Sequence, residues 1–180
     1  MSHPQSSVAG RQYDRSPRSQ SQQRTISVLL QNSTGAFNRI IGLFAAKGFT
    51  IESLAIGPSE EPNVSRLTIV TGADEHVIEK IMKQLANLID AILVTDLSSE
   101  SRVERELVLV RVRTGVDQQV KILEIGKIFS GKVIDIGPTT LTLEITGGKS
   151  KVNAAIQMLD PFGIKEIVRT GRVALRRESE

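Results

Sequence analysis

The spacing of apolar positions changes repeatedly along this chain, and each change marks a new element. Ile26, Val28 and Leu30 alternate with Ser27 and Gln31, the period-2 pattern of a half-buried strand. After Asn32-Ser33-Thr34-Gly35-Ala36 the period lengthens. Phe37, Ile40, Ile41 and Phe44 then fall at i, i+3, i+4 and i+7, one face of a helix. The same reading predicts strands over 25–31, 49–57, 64–72 and 91–97, and helices over 36–47 and 74–88. The second helix is the most regular, with Val77, Ile78, Ile81, Met82, Leu85, Leu88 and Ile89 on its apolar stripe. A polar linker, 98–103, follows. The order then repeats, with strands over 105–113, 132–137, 140–146 and 164–174 and helices over 117–129 and 149–159. Leu141, Leu143 and Ile145 alternate, and Val152, Ala155, Ile156 and Leu159 form a helical stripe. Gly57-Pro58 and Gly137-Pro138-Thr139 punctuate the two middle strands of each half.

Two consecutive βαββαβ units predict an α+β fold of two tandem ferredoxin-like domains, 24–99 and 100–180. Each would be a four-stranded antiparallel sheet with two helices on one face. Such a unit leaves one sheet face and its edge strands uncovered, so association with a second copy is expected.

Composition narrows the function classes. The chain has 180 residues, 39% of them hydrophobic, and a mean hydropathy of -0.07, enough for packed cores. No apolar run reaches the length of roughly 18 residues that a membrane-spanning helix needs, so no membrane partner is expected. Cysteine is absent, which excludes disulfides, thiol catalysis and thiolate metal sites. Histidine occurs only at His3 and His76. The formal charge is +3, but Arg11, Arg15 and Arg18 against Asp14 place +2 of it in residues 1–23. The remainder carries only +1, so the pI near 9.4 gives little support to nucleic-acid binding. Residues 1–23 are rich in Ser, Gln and Arg, with Pro4 and Pro17, and read as a disordered extension. Arg and Ser with a single acid also describe a transit segment.

The candidate chemistry lies at Asn32, Ser33, Thr34, Gly35 and Ala36. The first N–H groups of a helix have no internal partner, and the macrodipole makes that end positive. Gly35 carries no Cβ to shield the backbone, so a small carboxylate can dock there. The plainer reading is a capped turn, since Asn, Ser and Thr are ordinary N-caps. The second half has Thr114-Gly115-Val116-Asp117, spaced differently, so a single site would belong to the first half. His76, after Asp74 and Glu75, reads as an exposed residue of a helix first turn. Gly147-Gly148-Lys149-Ser150 resembles the end of a phosphate-binding loop, but Leu143 stands where that pattern needs its upstream Gly. Arg169, Arg172, Arg176 and Arg177 form a basic stretch interleaved with Glu166, Glu178 and Glu180. An RNA-binding sheet would carry aromatics on its central strands, whereas Phe37, Phe44, Phe49, Phe129 and Phe162 lie on helices or at element ends. No nucleophile, acid–base pair or metal cluster converges in this map.

Several segments in order then resemble one family. They include Thr25-Ile26-Ser27-Val28-Leu29-Leu30, Asn32 to Gly35, Arg39-Ile40-Ile41-Gly42-Leu43-Phe44 and Ile51-Glu52-Ser53-Leu54. Ser65-Arg66-Leu67-Thr68-Ile69, Val103-Glu104-Arg105-Glu106-Leu107, Pro161-Phe162-Gly163-Ile164 and Arg169-Thr170-Gly171 continue the series. Over roughly residues 24–177 the chain resembles the small, regulatory subunit of acetolactate synthase (acetohydroxyacid synthase), whose first half is an ACT domain. The resemblance implies a non-catalytic chain with no cofactor of its own. Its partner would be the catalytic large subunit, which holds thiamine diphosphate, magnesium and FAD. The small subunit would raise that partner's activity and confer feedback inhibition by a branched-chain amino acid, usually valine. It implies ACT domains paired side by side as a homodimer, with the effector shared between Asn32–Ala36 of one copy and Thr50 and Ile51 of the other. The family commonly carries Asn where this chain has Thr50, and a hydroxyl offers fewer hydrogen bonds than an amide. The implied compartment is the cytoplasm, or a plastid or mitochondrion if residues 1–23 belong to a transit segment. The alternative is a free-standing ACT-type amino-acid sensor acting on a different enzyme.

Overall fold

A computed structural model of the chain describes residues 23–178. The expected extension over 1–23 therefore lies outside the described residues, apart from Gln23, which opens the first strand. The first half runs β1 (Gln23–Gln31), α1 (Ala36–Lys47), β2 (Ser53–Pro58), β3 (Val64–Gly72), α2 (Glu75–Ala86) and β4 (Ala91–Asp96). The second runs β5 (Arg102–Arg113), α3 (Val116–Ile128), β6 (Lys132–Ile136), β7 (Thr140–Gly147), α4 (Lys149–Leu159), a 3-10 turn (Asp160–Phe162), β8 (Ile164–Arg169) and β9 (Val173–Arg176). The sheets are ordered β2-β3-β1-β4 and β6-β7-β5-β8, and every pairing is antiparallel. This is the ferredoxin-like arrangement, twice over.

The strand periodicity explains both cores. Ile26, Val28 and Leu30 lie on one face of β1 and meet Ile69 and Leu67 of β3 across the ladder. Ile40 and Phe44 of α1 and Ile78, Ile81 and Leu85 of α2 cover that face. In the second half Val108, Val110 and Val112 of β5 join Leu141, Leu143 and Ile145 of β7 under α3 and α4. Complete burial of one such aliphatic side chain contributes about 1.5–3 kcal/mol. Each half thus has its own core.

Two strands differ from the sequence reading. The strand expected over 49–57 begins only at Ser53. Phe49 instead closes the end of α1, its N–H donating to Phe44 O at 3.0 Å and its ring meeting Phe44 edge-on at 6.0 Å. The strand expected over 164–174 is broken at Thr170–Arg172, where Gly171 has φ 82. That left-handed conformation cannot continue a strand. β9 resumes alongside the first four residues of β5, with Arg102 opposite Arg176 and Arg105 opposite Val173.

The linker expected over 98–103 is short and held down. Leu97 N–H donates to Thr25 O at 2.8 Å, and Thr25 N–H donates to Ser98 Oγ at 2.8 Å. Arg102 Nη1 donates to the carbonyls of Leu97 and Ser98 at 2.8 and 3.1 Å, and β5 has already begun. Among the described residues no helix is long and apolar enough to cross a membrane.

Candidate functional site

β1 ends and α1 begins across Asn32–Gly35. Gly35 is the N-cap of α1, with φ 84 and ψ -2, and no side chain caps the helix. A β-carbon is strained at that φ, and one placed there would also stand 3.3 Å from Arg39 Nη1. The polar residues of the turn are therefore not spent as caps. Ser33 Oγ donates to Asp90 Oδ1, and Asn32 Oδ1 accepts from Ser65 Oγ at 2.6 Å. Ala36 N–H is occupied, donating to Ser33 O at 3.1 Å. Among the described residues the N–H groups of Gly35, Phe37 and Asn38 have no partner. The N–H groups of Gly35, Phe37 and Asn38 are thus open to an anion, whereas that of Ala36 is taken. Asn32, Ser33 and Thr34 are exposed, Gly35 half-buried and Ala36 buried.

Asp90 organises this turn, and the sequence reading missed it. It precedes β4, which lies beside β1, so the start of β4 meets the end of β1. Gln31 N–H donates to Asp90 O at 2.9 Å. Arg39 Nε donates to Asp90 Oδ2 at 2.5 Å, and Arg39 Nη2 reaches Ser33 Oγ at 3.1 Å. Asp90 is only 6% exposed. Hydrogen bonds from Arg39 and then Ser33 hold its carboxyl below the usual carboxylate range, outweighing the opposing effect of burial. The one hint in the sequence is an acid set between Ile89 and Ala91-Ile92-Leu93, where an unpaired charge would be costly.

Thr50 and Ile51 lie elsewhere in the same chain. Thr50 is exposed, and its carbonyl accepts from Thr71 Oγ1 at 2.6 Å. Ile51 is half-buried against the first core. Gln31 pairs with Val64, whereas Ser53 pairs with Val70, so the turn and Thr50 sit at opposite ends of the sheet. One chain does not bring the expected effector residues together.

The remaining candidates resolve into structure. His76 is exposed in the first turn of α2, which Asp74 caps by accepting from Val77 N–H at 2.9 Å. Gly148 is the N-cap of α4, and Lys149 Nζ donates to Gln23 Oε1 at 2.6 Å. Three of the four arginines of the basic stretch pair with glutamates. Arg169 pairs with Glu106 at 3.0 Å, Arg172 with Glu104 at 3.0 Å and Arg176 with Glu100 at 2.7 Å. No group of three or more His, Cys, Asp or Glu residues that could hold a metal occurs among the described residues.

Comparison with known proteins gives a consistent picture. Residues 26–93 match the model of the AHAS small subunit-like ACT domain, and residues 105–178 match that of the small subunit of acetolactate synthase. The acetolactate synthase small subunit of Aquifex aeolicus is 47% identical over 154 residues, covering 85% of this chain and 80% of that one. A probable acetolactate synthase small subunit of Archaeoglobus fulgidus is 42% identical over 153 residues, covering 85% of this chain and 96% of that one. The crystal structure of the small subunit from Thermotoga maritima superposes with a TM-score of 0.80 at 40% identity, over 88% of this chain and 99% of that chain.

Proposed function

Because the chain belongs to the acetolactate synthase small-subunit family, we propose that it activates the thiamine-diphosphate-dependent catalytic subunit and makes it inhibitable by a branched-chain amino acid, with valine as the first candidate. It acts as a regulatory chain without activity or cofactor of its own. Thiamine diphosphate, magnesium and FAD belong to the partner. The observation that carries the effector reading is the uncapped start of α1, where the N–H groups of Gly35, Phe37 and Asn38 are unpartnered beside the exposed side chains of Asn32, Ser33 and Thr34. A carboxylate accepts from those donors at the positive end of the helix. Asn32 Oδ1 keeps a second lone pair for the ammonium group after accepting from Ser65.

The other part of the effector site comes from a second copy. β2 is an edge strand that runs parallel to β1, since both are antiparallel to β3. Antiparallel pairing of β2 with its symmetry mate brings the Gln31–Ala36 end of one copy level with Thr50 and Ile51 of the other. A site divided this way selects one dimer geometry over another only by binding it better. That preference is the means by which an amino acid alters the catalytic subunit.

Reconstitution tests the reading. The purified chain is mixed with its cognate catalytic subunit, and acetolactate formation is followed with and without valine, leucine and isoleucine. The expected result is a rate that saturates with added small subunit and falls with one of the three amino acids. Gly35→Asp should still activate, with effector affinity lowered about 10–150-fold, the loss of one charge-assisted contact. No change in rate on mixing would sink the proposal. An unaltered inhibition curve for Gly35→Asp would move the effector away from this turn.

A further inference from the structure

Effector binding in the first domain must be felt by the second if both halves face the catalytic subunit. The two domains meet at several points, among them Lys149 Nζ to Gln23 Oε1, and one of these is a seat of backbone on backbone. Ser53 is opposite Val70 on the sheet face away from the helices, since its neighbours Leu54 and Ile69 face the first core. The turn between β8 and β9 lies against this strand start. Arg172 N–H donates to Ser53 Oγ at 2.9 Å. A β-carbon at Gly171 would stand 2.7 Å from Leu54 O and 3.1 Å from Ser53 Oγ, so backbone rests on backbone with no slack.

Both sides of the contact are tied to something that matters. On one side, Ser53 follows Thr50 and Ile51 by two or three residues, with only Glu52 between. Glu52 N–H donates to Val70 O at 2.8 Å, so this segment moves with the sheet. On the other side, the turn is fastened to β5. Leu107 N–H donates to Thr170 Oγ1 at 3.2 Å, Thr170 N–H donates to Leu107 O at 3.1 Å, and Arg172 Nη1 donates to Glu104 Oε1 at 3.0 Å. Beside the contact opens a cavity of about 360 Å³, lined among others by Glu52, Glu106, Lys149, Asn153 and Arg169. The domains are thus joined by a pinned linker, the Lys149–Gln23 hydrogen bond and this tight seat, with a cavity next to it.

Close-packed contacts do not deform continuously, so a small shift of one partner moves the other or breaks the contact. We propose that the seat of Thr170–Arg172 on Ser53–Leu54 transmits effector occupancy from the first domain to the second, with Ser53, Gly171 and Arg172 as its positioning residues. The inference rests on the effector reading given above. These residues do not touch the effector; they fix how the second domain follows it.

Two full-length variants test this, each assayed with the cognate catalytic subunit. Ser53→Ala removes the acceptor of the Arg172 N–H. Gly171→Ala drives a methyl group against Leu54 O. Valine is titrated by calorimetry onto the small subunit and, separately, into the reconstituted enzyme. Both variants should bind valine within about threefold of wild type and reach the same activation plateau. Their coupling between valine binding and inhibition should fall about fivefold or more, toward the lower bound of ordinary allosteric coupling. If Gly171→Ala does not fold by circular dichroism, Ser53→Ala decides the matter. Full inhibition retained in folded Ser53→Ala overturns the proposal, as does loss of valine binding, which would put Ser53 in the effector site itself. A wild-type chain that binds none of valine, leucine and isoleucine overturns the effector reading and this inference with it. Wild-type binding with unchanged inhibition in the variants overturns the coupling alone.

Discussion

Asp90 holds the Asn32–Gly35 turn in shape from outside it. Its carboxylate receives Arg39 and Ser33 at once, and its carbonyl receives Gln31. Its folded value is depressed, so the ionised form stabilises the fold at neutral pH. That contribution is complete above the unfolded value and is lost as pH falls through the folded one. The expected window is therefore below about pH 4, the ordinary aspartate range. Asp90→Asn should flatten the loss of thermal stability in that window. Melting curves of both proteins from neutral to acidic pH provide the check, and equal slopes would remove Asp90 as an ionic anchor. At this scale the sequence was half legible. Gly35 announced itself, because a residue without a Cβ at the start of a helix leaves the first N–H groups unshielded. Asp90 did not, because its partners lie 51 and 57 positions earlier.

Among the elements, β5 is the spine of the second domain. Its later residues pair with β7 and β8, and its first four with β9. Glu104 and Glu106 on it, and Glu100 just before it, receive Arg172, Arg169 and Arg176. Arg172 is the most enclosed of these, with its side chain 9% exposed. Glu104→Ala leaves that guanidinium without its carboxylate and should destabilise the second domain by roughly 2–4 kcal/mol, the cost of stranding a largely buried charge. Urea unfolding followed by circular dichroism measures it, and an unchanged midpoint would make the pair ornamental. Helices and inner strands could be read from periodicity because each buries one clean apolar face. The division of 164–174 into β8 and β9 could not. Val173 and Leu175 continue the strand-like alternation past Gly171, and only the backbone reveals the turn.

At the scale of the molecule, the doubled βαββαβ order predicted two domains, and two separate cores are found. Their contact was not legible, since hydrogen bonds such as Arg172 to Ser53 join residues 119 positions apart. The exposed edge of β2, where Ile56 is 51% exposed, is the surface on which we propose that a second copy pairs. We expect light scattering at micromolar concentration to give about twice the chain mass of 19.7 kDa. Ile56→Lys should shift the protein toward monomer, because it puts a charge where about 1.5–3 kcal/mol of apolar burial is available. A monomeric wild type would count heavily against the shared effector site.

The path of the chain ends has a practical side. Gln23, where the described fold begins, lines the cavity between the domains together with Glu52 and Lys149. At the other end, Arg177 N–H donates to Ser101 O at 2.8 Å, in the linker itself. Both ends of the described fold therefore lie beside the joint. A reporter attached at Gln23 or Arg177 would sit next to the contact we propose as the transmitting seat.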